Sequence, residues 1–203
     1  MGIKYKMKNY ILFIYKIWAK VYDNYIDKLF SFNRKKVIEF ADIKKGQKVL
    51  EVGVGTGLNL PYYSNCTVYG IDFSKEMLNK AKLKKSNAKI ILKKMDANSM
   101  DFKENSFDRA ITTYVLRVSP NPKKILKELS RVCKPNSKLI VLDQFLIKNN
   151  LFLYLFQPIK ILLGWGKEYY IKELIKNSNW KIIKIIPFGK MKNTKLIILK
   201  NDK

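Results

Sequence analysis

The 203-residue sequence contains no histidine. This absence excludes a Ser-His-Asp triad, a Cys-His nucleophile pair and any metal site with a histidine ligand. The two cysteines, Cys66 and Cys133, lie far apart and form no Cys-x-x-Cys motif, which argues against a zinc site or a disulfide framework and indicates a reducing compartment. We therefore predict no metal, and chemistry that depends on carboxylates, tyrosines, lysines and the alignment of reactants.

Long hydrophobic runs are also missing. No apolar stretch approaches the ~20 residues that cross a bilayer as a helix. The first residues lack the successive charged, apolar and small-residue regions of a secretory signal peptide. We expect a cytoplasmic chain that neither spans a membrane nor is secreted.

Acidic residues are scarce: 16 Asp and Glu stand against 41 Lys and Arg, which gives a net charge of +25. Such an excess predicts an anionic partner, either nucleic acid or phospholipid headgroups. Only four of the basic residues are arginine, however, and the chain is rich in Ile and Asn. An AT-rich genome would supply much of this lysine, so both explanations of the charge stay open.

A glycine-rich loop is the strongest positive signal, in residues 47–57, which read QKVLEVGVGTG. Apolar residues end in Glu51 and are followed by Gly53, Gly55 and Gly57, a pattern that predicts a buried parallel strand running into a bare turn. Glycine permits positive φ and removes Cβ atoms where a ligand would clash. Because Leu58 replaces the last glycine of G-x-G-x-x-G, the loop argues against a nicotinamide dinucleotide. It favours another cofactor over a turn without a ligand.

The first 35 residues form a separate segment with helical periodicity. Residues 8–30 place one apolar and aromatic stripe on a helix face: Ile11, Ile14, Tyr15, Trp18, Tyr22, Tyr25 and Leu29. Up to Lys36 the chain carries nine basic and two acidic residues. This composition suits docking on an anionic membrane, and equally a helix that caps a ligand cleft.

Residues 36–203 alternate strand and helix patterns over a single domain. After the strand before the glycine loop, further strands are predicted at 67–72, 89–94, 107–113, 138–143, 180–186 and 195–199. Helices are predicted at 34–41, 74–85, 122–133 and 167–176. The fold class is thus a Rossmann-like, doubly wound α/β sheet of seven strands with its ligand at the carboxyl ends. The short turn around Pro187 makes the last strand antiparallel.

Residues 151–165 interrupt this alternation with a dense apolar stretch that contains Pro158 and Lys160. The stretch is too short to span a bilayer. It is either a buried helix or a lid, within about residues 144–166, that dips into a lipid interface.

Over residues 36–200 the sequence resembles class I S-adenosylmethionine-dependent methyltransferases. The resemblance is carried by EVGVGTG at 51–57, Asp72 after the second strand, Asp96-Ala97 after the third, Phe107-Asp108, and RVCKPN at 131–136. Asn136 and Ser137 stand where the family usually has two glycines. The stretches 51–61, 72–78 and 114–120 look most like bacterial phosphatidylethanolamine N-methyltransferases, with quinone C-methyltransferases as close relatives.

The resemblance implies S-adenosylmethionine as cofactor and assigns roles to individual residues. Glu51 and the glycines Gly53, Gly55 and Gly57 would hold its methionine part, Asp72 its ribose, and Phe73 or Met77 a face of its adenine. Asp96 and Ala97 would bind the adenine edge, and Thr113 and Tyr114 would line the cleft near the sulfonium. An acid suits hydroxyl and amine donors, and an apolar side chain suits a purine face.

On this interpretation the enzyme methylates the amine of phosphatidylethanolamine at the inner face of the membrane. The candidate catalytic residues, which would hold the amine, are Tyr22, Tyr114 and Tyr169, and Arg117 would bind the lipid phosphate. The alternatives are methylation of a quinone ring or another small molecule, and methylation of RNA. Nucleic acid is disfavoured because residues 112–115 read TTYV and no RNA-recognition module is present.

Overall fold

The computed structural model describes residues 33–146, 169–189 and 193–203. Within them, seven strands form one sheet in the order β3-β2-β1-β4-β5-β7-β6. The strands are β1 Lys48–Val52, β2 Ser64–Asp72, β3 Asn87–Lys94, β4 Phe107–Thr113, β5 Cys133–Gln144, β6 Trp180–Pro187 and β7 Thr194–Asn201. This order confirms the predicted seven-stranded α/β fold.

The first five strands are parallel, and β7 is antiparallel to both of its neighbours, β5 and β6. Four of the five residues of β1 are buried, as expected for a central strand covered on both faces. The carboxyl ends of β1 to β5 therefore meet at one edge of the sheet. The predicted antiparallel last strand is confirmed.

Helices cover both faces of the sheet. The described helices are α1 Arg34–Phe40, α2 Lys75–Ala81, α3 Pro122–Val132 and α4 Ile171–Ile175, with a 3-10 turn at Leu60–Tyr62. On one face, Val37 and Ile38 of α1 and Leu78 of α2 belong to a single buried cluster. On the other, Leu126 and Leu129 of α3 and Leu174 of α4 belong to the second. The sheet is therefore doubly wound, as the alternation predicts.

Two helices are shorter than the sequence predicts. The helix expected to reach residue 85 ends at Ala81, because the next apolar residue, Leu83, is 81% exposed and anchors no further turn. The helix expected from residue 167 begins at Ile171. Tyr169 precedes it in extended backbone, bridged to Phe145, and its carbonyl accepts the N–H of Leu146 at 3.1 Å.

Near the start of β5, asparagine stands in place of the glycine that the family usually has. Asn136 has φ +61°, a left-handed conformation that asparagine tolerates better than most residues with a Cβ atom. Asn136 thus adopts a backbone conformation that glycine would also allow.

Several sequence predictions concern residues outside the described ranges. The amphipathic residues 8–30, Tyr22 among them, and the apolar stretch 151–165 fall there, so both remain predictions. Within the described ranges, none of the helices combines the length and the apolarity that crossing a bilayer requires.

Candidate active site

A cavity of about 240 Å³ opens at the carboxyl edge of the parallel strands. Its wall includes the loops that follow β1, β2, β3 and β4, together with Arg34 at the start of α1. Parallel α/β sheets bind ligands at this edge, where successive loops converge. The strand ends bring three acidic residues to this wall: Glu51, Asp72 and Asp96.

The glycine-rich loop turns sharply away from β1. Gly53 has φ +69°, and its N–H and that of Val54 both donate to the carbonyl of Ile71, at 2.8 and 3.0 Å. A Cβ at Gly53 would lie 2.2 Å from Val115 Cγ2, so a side chain has no room there. Gly55 has φ +55°, and a Cβ there would meet only Gly53 O, at 3.9 Å. Because Gly55 lines the cavity, that free space is available to a ligand.

Glu51 lies at the centre of a buried polar network beneath this loop. Its Oε1 accepts Nδ2 of Asn59 at 2.8 Å, and its Oε2 accepts the hydroxyl of Tyr63 at 2.8 Å. Burial raises the pKa of Glu51 to about 7, although both hydrogen bonds and the charge of Arg34 act to lower it. A cationic ligand group beside Glu51 would therefore shift its proton equilibrium near neutral pH.

Asp72, at the end of β2, ties the glycine loop to the next helix. Its Oδ2 accepts the N–H of Gly55 at 2.9 Å, and its Oδ1 accepts the N–H of Ser74 at 2.9 Å. Burial raises the pKa of Asp72, and hydrogen bonds from the backbone of Ser74, Gly55 and Phe73 oppose the rise. A carboxylate has about four acceptor sites, so Asp72 can also accept a hydrogen bond from a hydroxyl group of a ligand. Ser74 caps α2 by accepting the N–H of Met77 at 3.2 Å.

The loop after β3 presents hydrogen-bond acceptors. Asp96 Oδ1 accepts both the N–H and the side-chain Nδ2 of Asn98, each at 2.9 Å. Asn98 Oδ1 is buried and accepts no hydrogen bond from any described residue, although the side chain lines the cavity. A buried acceptor in that position suits a ligand that carries an amino group.

At the end of β4, Tyr114 lines the cavity and adopts φ +59°. The guanidinium of Arg117 stacks over its ring at 4.9 Å. The Nη1 of Arg117 donates to Gln144 Oε1, and its Nε lies 3.7 Å from Asp143 Oδ1. Burial raises the pKa of Asp143 to about 6, with the charge of Arg117 opposing the rise.

The cavity brings together most of the residues assigned from the sequence: Glu51, Gly53, Gly55, Asp72, Phe73, Met77, Asp96, Ala97, Thr113 and Tyr114.

Three assigned residues within the described ranges do not line the cavity. One is Gly57, where a Cβ would lie 2.8 Å from Leu60 Cδ1 and 2.9 Å from Ala81 Cα, so its visible role is close packing. Arg117 does not line it either, because Asp143 and Gln144 hold its guanidinium. Tyr169 packs on the core. For these three residues, contact with cofactor or substrate remains a prediction.

Three residues that the sequence patterns do not single out, Arg34, Asn59 and Asn98, also line the cavity. Arg34 is the first residue of a helix, and Asn59 precedes a 3-10 turn. Neither position belongs to a sequence motif that would predict contact with a ligand. Asn98 lies two residues after Asp96, so its place beside a known motif was a signal that could have identified it.

Comparison with known proteins agrees with the geometry. Residues 50–141 match the family described as "Methyltransferase domain". The chain is 30% identical to a phosphatidylethanolamine N-methyltransferase from Cereibacter sphaeroides, over 86% of this chain and 89% of that protein. The chain belongs to the S-adenosylmethionine-dependent methyltransferases. The predicted family, enzyme class and cofactor are thereby confirmed.

Two further comparisons place this methyltransferase among its relatives. It is 35% identical to a demethylmenaquinone methyltransferase from Paenarthrobacter aurescens, over 54% of this chain but only 44% of that protein. A solved S-adenosylmethionine-dependent methyltransferase from Aquifex aeolicus superposes with a TM-score of 0.68 at 23% identity, covering 90% of this chain and 96% of that one. The second likeness supports the fold alone.

The cavity fits S-adenosylmethionine by the chemistry of its donors and acceptors. Asp72 would hold the ribose hydroxyls, Asp96 and Asn98 the adenine amino group, and Phe73 or Met77 an adenine face. The space above Gly55 and the carboxylate of Glu51 would take the methionine part. When bound, the cofactor supplies a methyl group activated by a positively charged sulfur.

The chain's own residues have to orient the acceptor, since an activated methyl group leaves most of the catalysis to alignment and exclusion of water. Thr113 and Tyr114 are suited to this task because β4 ends beside both the Glu51 network and the cavity. Thr113 Oγ1 lies 3.3 Å from Asn59 Nδ2, which links the two regions.

Proposed function

We propose that this methyltransferase transfers methyl groups from S-adenosylmethionine to the amine of phosphatidylethanolamine and of its mono- and dimethyl forms, toward phosphatidylcholine. The observation that carries the proposal is the length of the similarity to the phosphatidylethanolamine N-methyltransferase, which covers 86% of this chain and 89% of that protein. That span exceeds residues 50–141, the methyltransferase domain match. Similarity restricted to cofactor binding would not need to extend so far.

An ethanolamine ammonium must lose its proton before its nitrogen can attack a methyl group. No histidine is available for this step. Water, a carboxylate or a tyrosine must therefore accept the proton. Tyr114 lines the cavity and is the best supported of the three tyrosines for holding the amine, through its hydroxyl or the face of its ring that Arg117 does not cover.

Association with the inner face of the membrane belongs to the same proposal. A net charge of +25 and the amphipathic pattern of residues 8–30 support binding to anionic phospholipid headgroups. The full-length double variant Ile14→Ser/Trp18→Ser should lose sedimentation with phosphatidylglycerol-containing vesicles. The matched variant Asn9→Ser/Asn24→Ser, on the opposite face of the pattern, should retain it. Equal sedimentation of the two variants would argue against docking through this stripe.

The substrate assignment is tested with methyl-labelled S-adenosylmethionine and vesicles of phosphatidylethanolamine with phosphatidylglycerol. Lipid extraction and chromatography should show label in mono-, di- or trimethylated phosphatidylethanolamine. Unlabelled lipid from a protein that still binds S-adenosylhomocysteine would reject the lipid substrate and leave the enzyme class intact.

Methylation of a quinone ring is the second candidate. Its support is the 35% identity to a demethylmenaquinone methyltransferase over 112 residues, with several similar relatives. Demethylmenaquinone in the same assay separates the two: label in the quinone and not in the phospholipid would favour this candidate.

A further inference from the structure

We propose that Arg34 is a specificity-determining residue that binds the α-carboxylate of the methionine part of S-adenosylmethionine, while Glu51 accepts the neighbouring α-ammonium group. Arg34 is only 8% exposed and lines the same cavity as Glu51. It lies before residue 50, where the match to the methyltransferase domain begins. The proposal rests on the cofactor, not on the phospholipid substrate.

The packing of α1 directs Arg34 inward. Val37 and Ile38, three and four residues later, are 1% and 6% exposed, and residues at these spacings share a helix face with Arg34. Asn33 caps the helix by accepting the N–H of Lys36 at 3.0 Å. Lys36 itself is exposed. The arginine is therefore held on the core side of a well-anchored helix.

One side-chain amide connects Arg34 to Glu51. Arg34 Nη1 donates to Asn59 Oδ1 at 3.0 Å, and Asn59 Nδ2 donates to Glu51 Oε1 at 2.8 Å. An amide has its acceptor at one end and its donor at the other, so it sets a cation and an anion side by side at a short, fixed separation. The α-carbon of methionine carries a carboxylate and an ammonium group, which is the complementary pair of charges.

The chemistry of the guanidinium favours an oxyanion as its ligand. The planar fork of N–H donors in a guanidinium matches a carboxylate or a phosphate. A negatively charged ligand also compensates the charge of a guanidinium that is shielded from water. A lipid phosphate is the other possible source of such an oxyanion. We assign the methionine carboxylate for the following reason. The neighbouring carboxylate of Glu51 would repel an anion on its own, whereas methionine carries an ammonium group on the same carbon atom as its carboxylate.

The test compares two ligands that differ only in the carboxylate: S-adenosylhomocysteine and its decarboxylated form, S-adenosyl-3-thiopropylamine. Calorimetric titrations of the full chain would use the wild type, Arg34→Met, Arg34→Lys and the exposed control Lys36→Met. We expect the wild type to prefer S-adenosylhomocysteine about tenfold or more, the range of a hydrogen bond to a charged group. Arg34→Met should reduce that preference to about twofold or less while binding the decarboxylated ligand normally.

The controls distinguish recognition from folding. Lys36→Met removes the same charge from the same helix and should keep the wild-type preference, and Arg34→Lys should keep part of it. Equal weakening of both ligands by Arg34→Met would assign Arg34 a purely structural role and overturn the proposal. So would a wild type that binds both ligands equally, a result that needs no variant to fold. Because no lipid is present, neither result bears on the phospholipid assignment.

Discussion

The guanidinium carbon of Arg117 lies 4.9 Å from the centre of the Tyr114 ring. Tyr114 needs such support, because φ +59° is a left-handed conformation that costs about 1–2 kcal/mol for a residue with a Cβ atom. Arg117 in turn is held by Asp143, whose Oδ2 accepts its backbone N–H at 3.2 Å, and by Gln144. Two residues of β5 thus support the tyrosine at the cavity wall.

Arg117→Met should therefore impair turnover more than substrate binding. Removal of the stacked cation frees the Tyr114 ring, and misplacement of a group beside the reacting atoms lowers kcat, here by about tenfold or more. Steady-state kinetics with the methyl acceptor would measure kcat and KM separately. We expect KM to change by less than about threefold, because the contacts that the structure gives the Arg117 side chain are with Tyr114, Asp143 and Gln144.

Arg109→Met is the matched control. Arg109 Nε donates a hydrogen bond to the carbonyl of Ala41 at 2.8 Å, and Arg109 does not line the cavity. It should reduce stability without lowering kcat. A rise in KM at unchanged kcat for Arg117→Met would instead support the phosphate-binding role predicted from the sequence.

Cofactor binding should release protons near neutral pH. Burial raises the pKa of Glu51 to about 7, and an ammonium group beside it would lower that value. Near pH 7 part of the Glu51 carboxyls is therefore protonated, so binding of S-adenosylhomocysteine should release a fraction of a proton per chain. Titration calorimetry in two buffers with different ionisation enthalpies measures the release. Glu51→Gln should abolish it, and an unchanged release in that variant would assign it to another group.

The same carboxyl should make ligand-free stability depend on pH. The folded-state pKa of about 7 is higher than the ordinary value of 4.5, so the folded chain binds this proton more tightly than the unfolded chain. That contribution to the free energy of unfolding is complete below pH 4.5 and is lost as the pH rises through 7. Glu51→Gln stays neutral throughout. The melting temperature of Glu51→Gln minus that of the wild type should therefore be larger at pH 8 than at pH 6. The same difference at both pH values would contradict the shifted pKa.

Gly57→Ala should destabilise the fold more than Gly46→Ala. Both glycines have nearly the same φ, +80° at Gly57 and +81° at Gly46. An added Cβ at Gly57 would lie 2.9 Å from Ala81 Cα, whereas one at Gly46 meets nothing within 4 Å. We expect a loss of about 1 kcal/mol at Gly46 from backbone strain and a further 1–3 kcal/mol, roughly, at Gly57 from overpacking. Urea unfolding measures both, and equal losses would show that the contact with α2 is unimportant.

The secondary structure and the cofactor edge follow from local sequence. The apolar run ending in Glu51, the acid after each of the next two strands and the closing hairpin are periodic or end-of-strand signals. Because parallel strands end at one edge, an acid at the end of a strand lies at the edge where the ligand binds. The positions of Asp72 and Asp96 on the cavity wall are predictable for this reason.

Contacts between distant segments required the tertiary structure. Arg34 meets Asn59 across 25 residues, and Arg117 meets Gln144 across 27. No local spacing encodes either pair, because helix packing and strand order determine which side chains meet. The same is true of Gly57, whose place in the motif suggests cofactor contact while its neighbours show close packing. Sequence by itself determined the fold and the acidic residues along the cofactor edge, and packing decided which buried charges and amides act together there.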